Sequence, residues 1–507
     1  MPTDTLPQTA STAIDRLVGQ DSALSSPPTN APSLQPGPTI SLQAAWAEGP
    51  IAARLKILKR ARHQLATIAP EIAAAVSTQL SRTHADTMIS ELLPLLEAIH
   101  FLERNAPRLL KPRRLGRKGL PFWLSGTDTE IQRVPFGRVL VIGPANYPLF
   151  LPGVQVFQAL AAGNAVMWKP GLGGAPVAQL VAGVLLRAGL PQGLLQVTND
   201  TVEASENALH SSPDKVFFTG SAATGKLLLR ELAETVTPCV VELSGNDACI
   251  VLPSADLGRV VAALTFGMRL NGSATCMAPR RILLVDCPAP RRERFLDSLA
   301  HALSQLDPVT LPATVRRQLT SLVYAAQQEG ATIIGDPTAE SVRPVLLVNS
   351  TPEMQIARTD IFAPVLAVID VAGTQGVVEA QAACPLALTT SIFGDERAAR
   401  TLAAQITSGA ITINDLIVPT ADPRFPFGGR QQSGFGFTRG SEGLLEMTAV
   451  KVIAARRNRS TRQYEPTGKF HAILFAGIIT TAHARTFTQR WSGLKRAFEA
   501  AMELKKK

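Results

Sequence analysis

The chain has 507 residues, 46% of them hydrophobic and 18% charged, which allows two or three domains with large cores and excludes a fibrous or wholly disordered protein. The net charge of +10 is uneven: from residue 454 onward there are twelve Lys/Arg and three Asp/Glu, so the body is nearly neutral and offers little support for nucleic-acid binding. The cysteines, Cys239, Cys249, Cys276, Cys287 and Cys384, are odd in number and form no CxxC pair, which argues against a disulfide framework or a metal site and suits a reducing, cytoplasmic compartment.

Residues 1–40 are rich in Ser, Thr, Pro and Ala, and a disordered segment is expected there. The opening MPTDTLPQTAST has neither the basic nor the apolar region of a secretory signal. From Ser41 to about Leu110 apolar residues recur at three- and four-residue intervals, predicting helices whose charges form a solvated face. A basic connector, KPRRLGRKGL, leads into TEIQRVPFGRVLVIGP, two strand-like runs either side of Pro135-Phe136-Gly137.

Short β-branched strands then alternate with helical stretches: VLVIG at 139–143, AVMWK at 165–169, LLQVT at 194–198, KVFFTG at 215–220 and CVVEL at 239–243. This alternation predicts a parallel, doubly wound α/β sheet. A second series, ACIVL, RILLV, PVLLV, VLAVI, TTSIFG and AITIN, predicts a second α/β domain.

Cys276 ends the stretch NGSATC, after an apolar helical run and among small residues that leave its sulfur room. Glu242 lies thirty-four residues upstream in CVVELSGN. A thiol with a separate carboxylate suggests covalent catalysis followed by base-assisted hydrolysis. Taken alone, Cys276 reads better as a buried small hydrophobe.

Asn146 sits in the turn after a strand, where its amide is able to donate to an oxyanion; a turn residue bonding its own backbone is the plainer reading. Lys169 ends a strand before Pro170, suited to ribose hydroxyls or a phosphate, or simply a surface charge. In FTGSAATGK, Gly220 and Gly225 bracket a helix start whose free N–H groups suit a pyrophosphate. The spacing is neither GxGxxG nor a full phosphate loop, because Leu227 follows Lys226.

In order and spacing these stretches resemble the NAD(P)-dependent aldehyde dehydrogenase superfamily from about residue 41 to 455. The landmarks run from PFGRVLVIGPANYP through ALAAGNAVMWKP, FTGSAATG, VELSG, Cys276 with Arg281, DIFAPV and IN to PFGGRQQSGFG. The resemblance implies an enzyme that oxidises an aldehyde to the acid. It makes Cys276 the nucleophile, Asn146 and the Cys276 N–H the oxyanion donors, and Glu242 the base that hydrolyses a thioester. Lys169 and Ser221 then contact the cofactor, NAD or NADP, with Asp360 at the nicotinamide ribose and Phe362 beside the nicotinamide.

The implied division is a disordered segment over 1–40, a cofactor domain over 41–243 with bridging strands about 127–136, and a catalytic domain over 244–415. A return segment with a bridging strand follows over 416–455, and a basic extension over 456–507. The implied assembly is a homodimer.

Several positions depart from the family pattern. Ala145 stands where Trp is common, Leu172 where an acid usually follows the KP pair, and Asp360 where Glu is usual. The missing acid at Leu172 leaves NAD versus NADP open, and the further departures at Ser244, Asn246 and NGSAT leave the substrate class and rate open.

In the extension, FHAILFAGIITTAHA is too short to span a bilayer. It reads either as a helix packed on protein or as a peripheral membrane contact with basic flanks; the latter admits a lipophilic aldehyde. Two alternative functions stand beside the oxidation to acid: a CoA-acylating dehydrogenase, and a catalytically silent scaffold.

Overall fold

The computed structural model describes residues 40–77, 82–457, 464 and 466–505. The disorder expected over 1–40 falls outside these residues except at Ile40, which opens the helix Ile40–Glu48. Much of the basic run at 458–465 also falls outside them.

The N-terminal helices Ile51–Thr67 and Leu93–Leu109 bury Leu55, Leu58, Ala61 and Leu65, and Leu95, Ile99 and Leu102, one apolar stripe each. These stripes pack with Val139, Val141, Phe157 and Trp168 in one core. The solvated-face expectation fails for three charges in this region, because Arg54, Arg82 and Glu91 are buried. Arg54 donates to the carbonyls of Trp46, Ala47 and Gly49 at 3.1, 3.1 and 2.7 Å, and to that of Ala161 at 3.1 Å. It thereby satisfies backbone acceptors that helix ends leave open.

Five parallel strands form the first sheet, in spatial order Cys239–Leu243, Lys215–Gly220, Arg138–Ile142, Ala165–Lys169 and Leu195–Val197. The order reverses between Arg138–Ile142 and Lys215–Gly220, so the crevice outside their carboxyl ends is a topological switch point. The return segment adds Gly434–Phe435 antiparallel to Cys239–Leu243, with Gly434 opposite Glu242.

The second sheet has seven strands, in order Thr332–Ile334, Val345–Val348, Val365–Val371, Pro279–Val285, Asp247–Val251, Thr389–Phe393 and Ala410–Ile413. Only Thr332–Ile334 runs antiparallel to its neighbour. A third, antiparallel sheet joins Arg113–Leu115, Thr127–Pro135 and Thr448–Arg456. The basic connector thus carries a strand, which its charges hide because all three residues are exposed.

The extension folds as a helical hairpin, Lys469–His483 and Phe487–Lys505. Its seam buries Gly477, Gly493, Ala497 and Ala500. A Cβ on Gly477 would lie 2.6 Å from the Ala497 nitrogen, so only glycine permits this approach. The larger apolar side chains Ile473, Phe475, Ile479, Trp491, Leu494, Phe498 and Met502 are exposed. Among the described residues no helix is long and apolar enough to cross a membrane.

Candidate active site

Helix Leu257–Arg269 is capped by Asp256, which accepts from the Gly258 and Arg259 amides. It runs into three consecutive left-handed residues, Asn271, Gly272 and Ser273, with φ of 53°, 57° and 64°. Two of them carry side chains, so the turn is strained and needs outside support. Arg280 supplies it: Nη1 donates to the Ser273 Oγ and Nη2 to the Ser273 carbonyl, both at 2.6 Å. Asn271 Nδ2 donates to the Asn146 carbonyl at 3.0 Å and to that of Ala274 at 3.1 Å.

The turn delivers Cys276, half-buried, to the boundary of two cavities. One, of about 410 Å³, is lined largely by apolar side chains, among them Ile89, Leu93, Phe150, Phe266, Met277 and Val418. The other, of about 250 Å³, is lined by Asn146, Gly220, Ser221, Glu242, Ser244 and Phe362 among others. Cys276 lies on the wall of both.

Asn146 Nδ2 donates to the Ala274 carbonyl at 2.9 Å. The neighbouring Tyr147 hydroxyl meets the Thr275 Oγ1 at 2.8 Å. The loop is fixed from below by Glu91, which accepts from the Leu149 and Phe150 amides at 2.7 and 2.9 Å and pairs with Arg82. The Arg82 guanidinium lies 5.1 Å from the Tyr147 ring centroid.

Glu242, in the strand Cys239–Leu243, accepts from the Thr438 Oγ1 at 2.8 Å through Oε2. Its buried Oε1 has no hydrogen-bond partner among the described residues. Burial pushes this carboxyl above its usual range, against the opposing pull of Arg439 and Thr438. The Cys276 thiol is pushed well above its ordinary value, first by burial and then by the carboxylates of Glu242, Asp247 and Asp360; Arg439 pulls it down. The resting sulfur is therefore held as a thiol, and the raised pKa of the Glu242 carboxyl makes it a stronger proton acceptor than an ordinary carboxylate.

The smaller cavity has the features of a phosphate site. It opens at the switch point, beside helix Ala222–Thr235, whose N-cap Ser221 accepts from the Thr224 amide at 3.2 Å. The first-turn N–H groups of that helix suit a phosphate. Gly225 sits one turn inside, where a Cβ would come within 2.6 Å of Leu243 Cδ2, so it permits close helix–strand packing.

Lys169 ends its strand almost buried; burial lowers its pKa while Asp200 raises it. Neither Lys169, Gly225 nor Asp360 is on the wall of the smaller cavity. The Asp360 carboxyl is raised by burial and lowered by Ser244 and Arg280, and Phe362 reaches the cavity two residues on. Asn246 clamps the loop before them, donating to the Ile356 and Thr359 carbonyls at 3.0 and 2.7 Å.

Residues 40–453 match the sequence profile of the aldehyde dehydrogenase family. The chain belongs to that family. It is an NAD(P)-dependent aldehyde dehydrogenase, which oxidises aldehydes to carboxylic acids.

It is 31% identical to the 4,4'-diapolycopene aldehyde oxidase of Methylomonas sp, over 87% of this chain and 84% of the relative. It is 29% identical to the probable coniferyl aldehyde dehydrogenase of Pseudomonas aeruginosa, over 82% and 89% respectively. The structure of the NADP-dependent glyceraldehyde-3-phosphate dehydrogenase from Bacillus halodurans, complexed with NADP, is similar with a TM-score of 0.75. That match has 25% identity and covers 83% of this chain and 90% of that one.

The reading of the sequence missed several residues of this aldehyde dehydrogenase's site. Thr438 and Arg439 follow the PFGGRQQSGFG landmark after one residue, Phe437, and their nearness to it was the available signal. Asn271 offered a weaker one, a side-chain amide in the turn before the cysteine. Glu91 offered none, because ISELL reads as an ordinary amphipathic helix.

Proposed function

We propose that Cys276 is the nucleophile, Glu242 the hydrolytic base and Asn146 an oxyanion donor, acting on apolar aldehydes. The observation that carries this reading is the position of Cys276 on the walls of both cavities, one apolar and one at a helix start suited to a phosphate. Glu242 takes the thiol proton, and the thiolate adds to the aldehyde carbon. Asn146 has a second amide hydrogen beyond the one given to Ala274, and with the Cys276 N–H it holds the oxyanion. A nicotinamide held beside Phe362 would supply the hydride acceptor for that carbon, and Cys276 would be left as a thioester. Glu242, once it has released the thiol proton to solvent, draws a proton from water, the hydroxide adds to the thioester, and the acid departs as the sulfur takes that proton back from Glu242 and is restored as the thiol. A base held by Thr438 beside the sulfur favours hydrolysis over transfer to CoA.

The apolar lining of the larger cavity favours a lipophilic aldehyde, as does likeness to a relative named for 4,4'-diapolycopene aldehyde. Lys169, Gly220, Ser221, Gly225, Asp360 and Phe362 serve the cofactor, Gly225 by bringing its helix close to the sheet. The tail contacts a membrane surface from a reducing compartment. Its hairpin hides small residues and exposes large apolar ones among basic groups, as suits insertion beside anionic lipid. A homodimer forms through Thr448–Arg456, an edge strand that exposes Val450 and Val452.

Initial rates across aldehydes of increasing chain length, with NAD+ and NADP+ and with and without CoA, test this reading. Rising kcat/KM with chain length and turnover independent of CoA are expected. Strict CoA dependence, or equal activity of wild type and Cys276→Ala, overturns it. Co-sedimentation with anionic vesicles, lost in Phe475→Asp/Trp491→Asp, tests the membrane contact; sedimentation unchanged by that pair contradicts it.

A further inference from the structure

Arg439 has no role in the chemistry described so far, yet it occupies the centre of the site. It follows Thr438, the donor to Glu242, and lines the larger cavity with Cys276. Its side chain is buried between two rings, with the guanidinium carbon 4.3 Å from the Phe427 centroid and 5.2 Å from that of Phe150. Nη1 donates to the Thr420 carbonyl at 2.7 Å. Nε and Nη2 are buried and find no acceptor among the described residues. A guanidinium in apolar surroundings is costly to bury unless charge or hydrogen bonds compensate it.

The charges that act on it are Glu242 and Cys276. Cys276 itself is surrounded by the carboxyls of Glu242, Asp247 and Asp360, the Tyr147 hydroxyl, and the guanidinium groups of Arg280 and Arg439. Arg280 is committed to Ser273. Arg439 is the arginine in this group with donors left over.

We infer that Arg439 is the fixed counter-charge of the catalytic pair: it stabilises negative charge wherever that charge resides, on the Glu242 carboxylate or on the Cys276 thiolate. Moving the proton from sulfur to carboxylate leaves the pair's net charge unchanged, so one guanidinium serves both states. The inference rests on the reading of Cys276 as nucleophile.

The test is the rate of Cys276 carbamidomethylation by iodoacetamide as a function of pH, read by peptide mass spectrometry. It compares wild type, R439K, R439Q and R439M, with kcat and KM measured alongside. In the neutral variants the alkylation midpoint should rise by a pH unit or more, and the rate at pH 7 should fall about tenfold or more. R439K should stay close to wild type, and kcat should fall more than KM changes.

Met preserves the apolar contacts with Phe150 and Phe427, so R439M reports if R439Q does not melt cooperatively. A neutral variant alkylated with the wild-type midpoint, or R439K as slow as R439Q, overturns the inference. A Cys276 that is inert in the wild type at every pH instead overturns the reading on which it rests.

Discussion

The side-chain amide of Asn146 donates to the carbonyl of Ala274 at 2.9 Å, two residues before Cys276. Asn271 returns the contact to the Asn146 carbonyl at 3.0 Å. The proposed oxyanion donor and nucleophile come from different sheets and are 130 residues apart, yet this pair of bonds fixes one against the other. Asn146→Ala should therefore lower kcat by about 10²–10³-fold, the usual cost of one oxyanion donor, with a smaller change in KM. Steady-state kinetics on a folded variant check this; a loss confined to KM would contradict it.

Glu91 holds the same loop from beneath. It is fully buried, accepts two amides where helix Phe150–Ala162 begins, and neutralises Arg82. Glu91→Ala strands the Arg82 charge and should cost roughly 3–5 kcal/mol of stability. Glu91→Gln keeps an acceptor and should cost less. Chemical denaturation of the two variants gives the comparison, and near-equal losses would show that the charge is immaterial.

Asp247 should give the enzyme a pH-dependent stability. Burial raises its carboxyl from an ordinary value of 3.8 to about 7, despite bonds from the Thr389 amide and hydroxyl at 3.0 and 2.5 Å. The folded state thus holds a proton that the unfolded chain has released between about pH 4 and 7. Stability from this group is full below pH 4, falls as pH rises to about 7 and is then level, a change of roughly 2–4 kcal/mol. Asp247→Asn should flatten that slope and gain most above pH 7. Melting temperatures of both proteins from pH 5 to 8 test this, and parallel curves would refute it.

Much of this was legible because local pattern fixes it. Apart from Lys169 and Glu242, the runs VLVIG, AVMWK and CVVEL are apolar on both faces, and a covered parallel sheet satisfies them. Cys276, Glu242 and Asn146 were visible because motifs surround them. What stayed hidden depends on contacts distant in sequence.

Glu91 is buried by amides 58 and 59 residues away, and nothing in ISELL shows that. Arg439 lies against Phe150, which is distant in the chain. The left-handed turn at Asn271–Ser273 depends on Arg280, whose binding to Ser273 no spacing rule predicts. Arg113–Leu115 was obscured because an exposed strand carries no apolar alternation to read.

The central claim is that Cys276 carries the substrate as a thioester that Glu242 hydrolyses. Glu242→Gln, mixed with a lipophilic aldehyde and excess NAD+ or NADP+, should form up to one equivalent of reduced cofactor, more slowly than wild type because the thiol has lost its proton acceptor, and then stall. Intact mass spectrometry of the quenched protein should show the acyl group, and peptide mapping should place it on Cys276. A stalled enzyme with no added mass, or with the acyl group on another residue, would contradict the account.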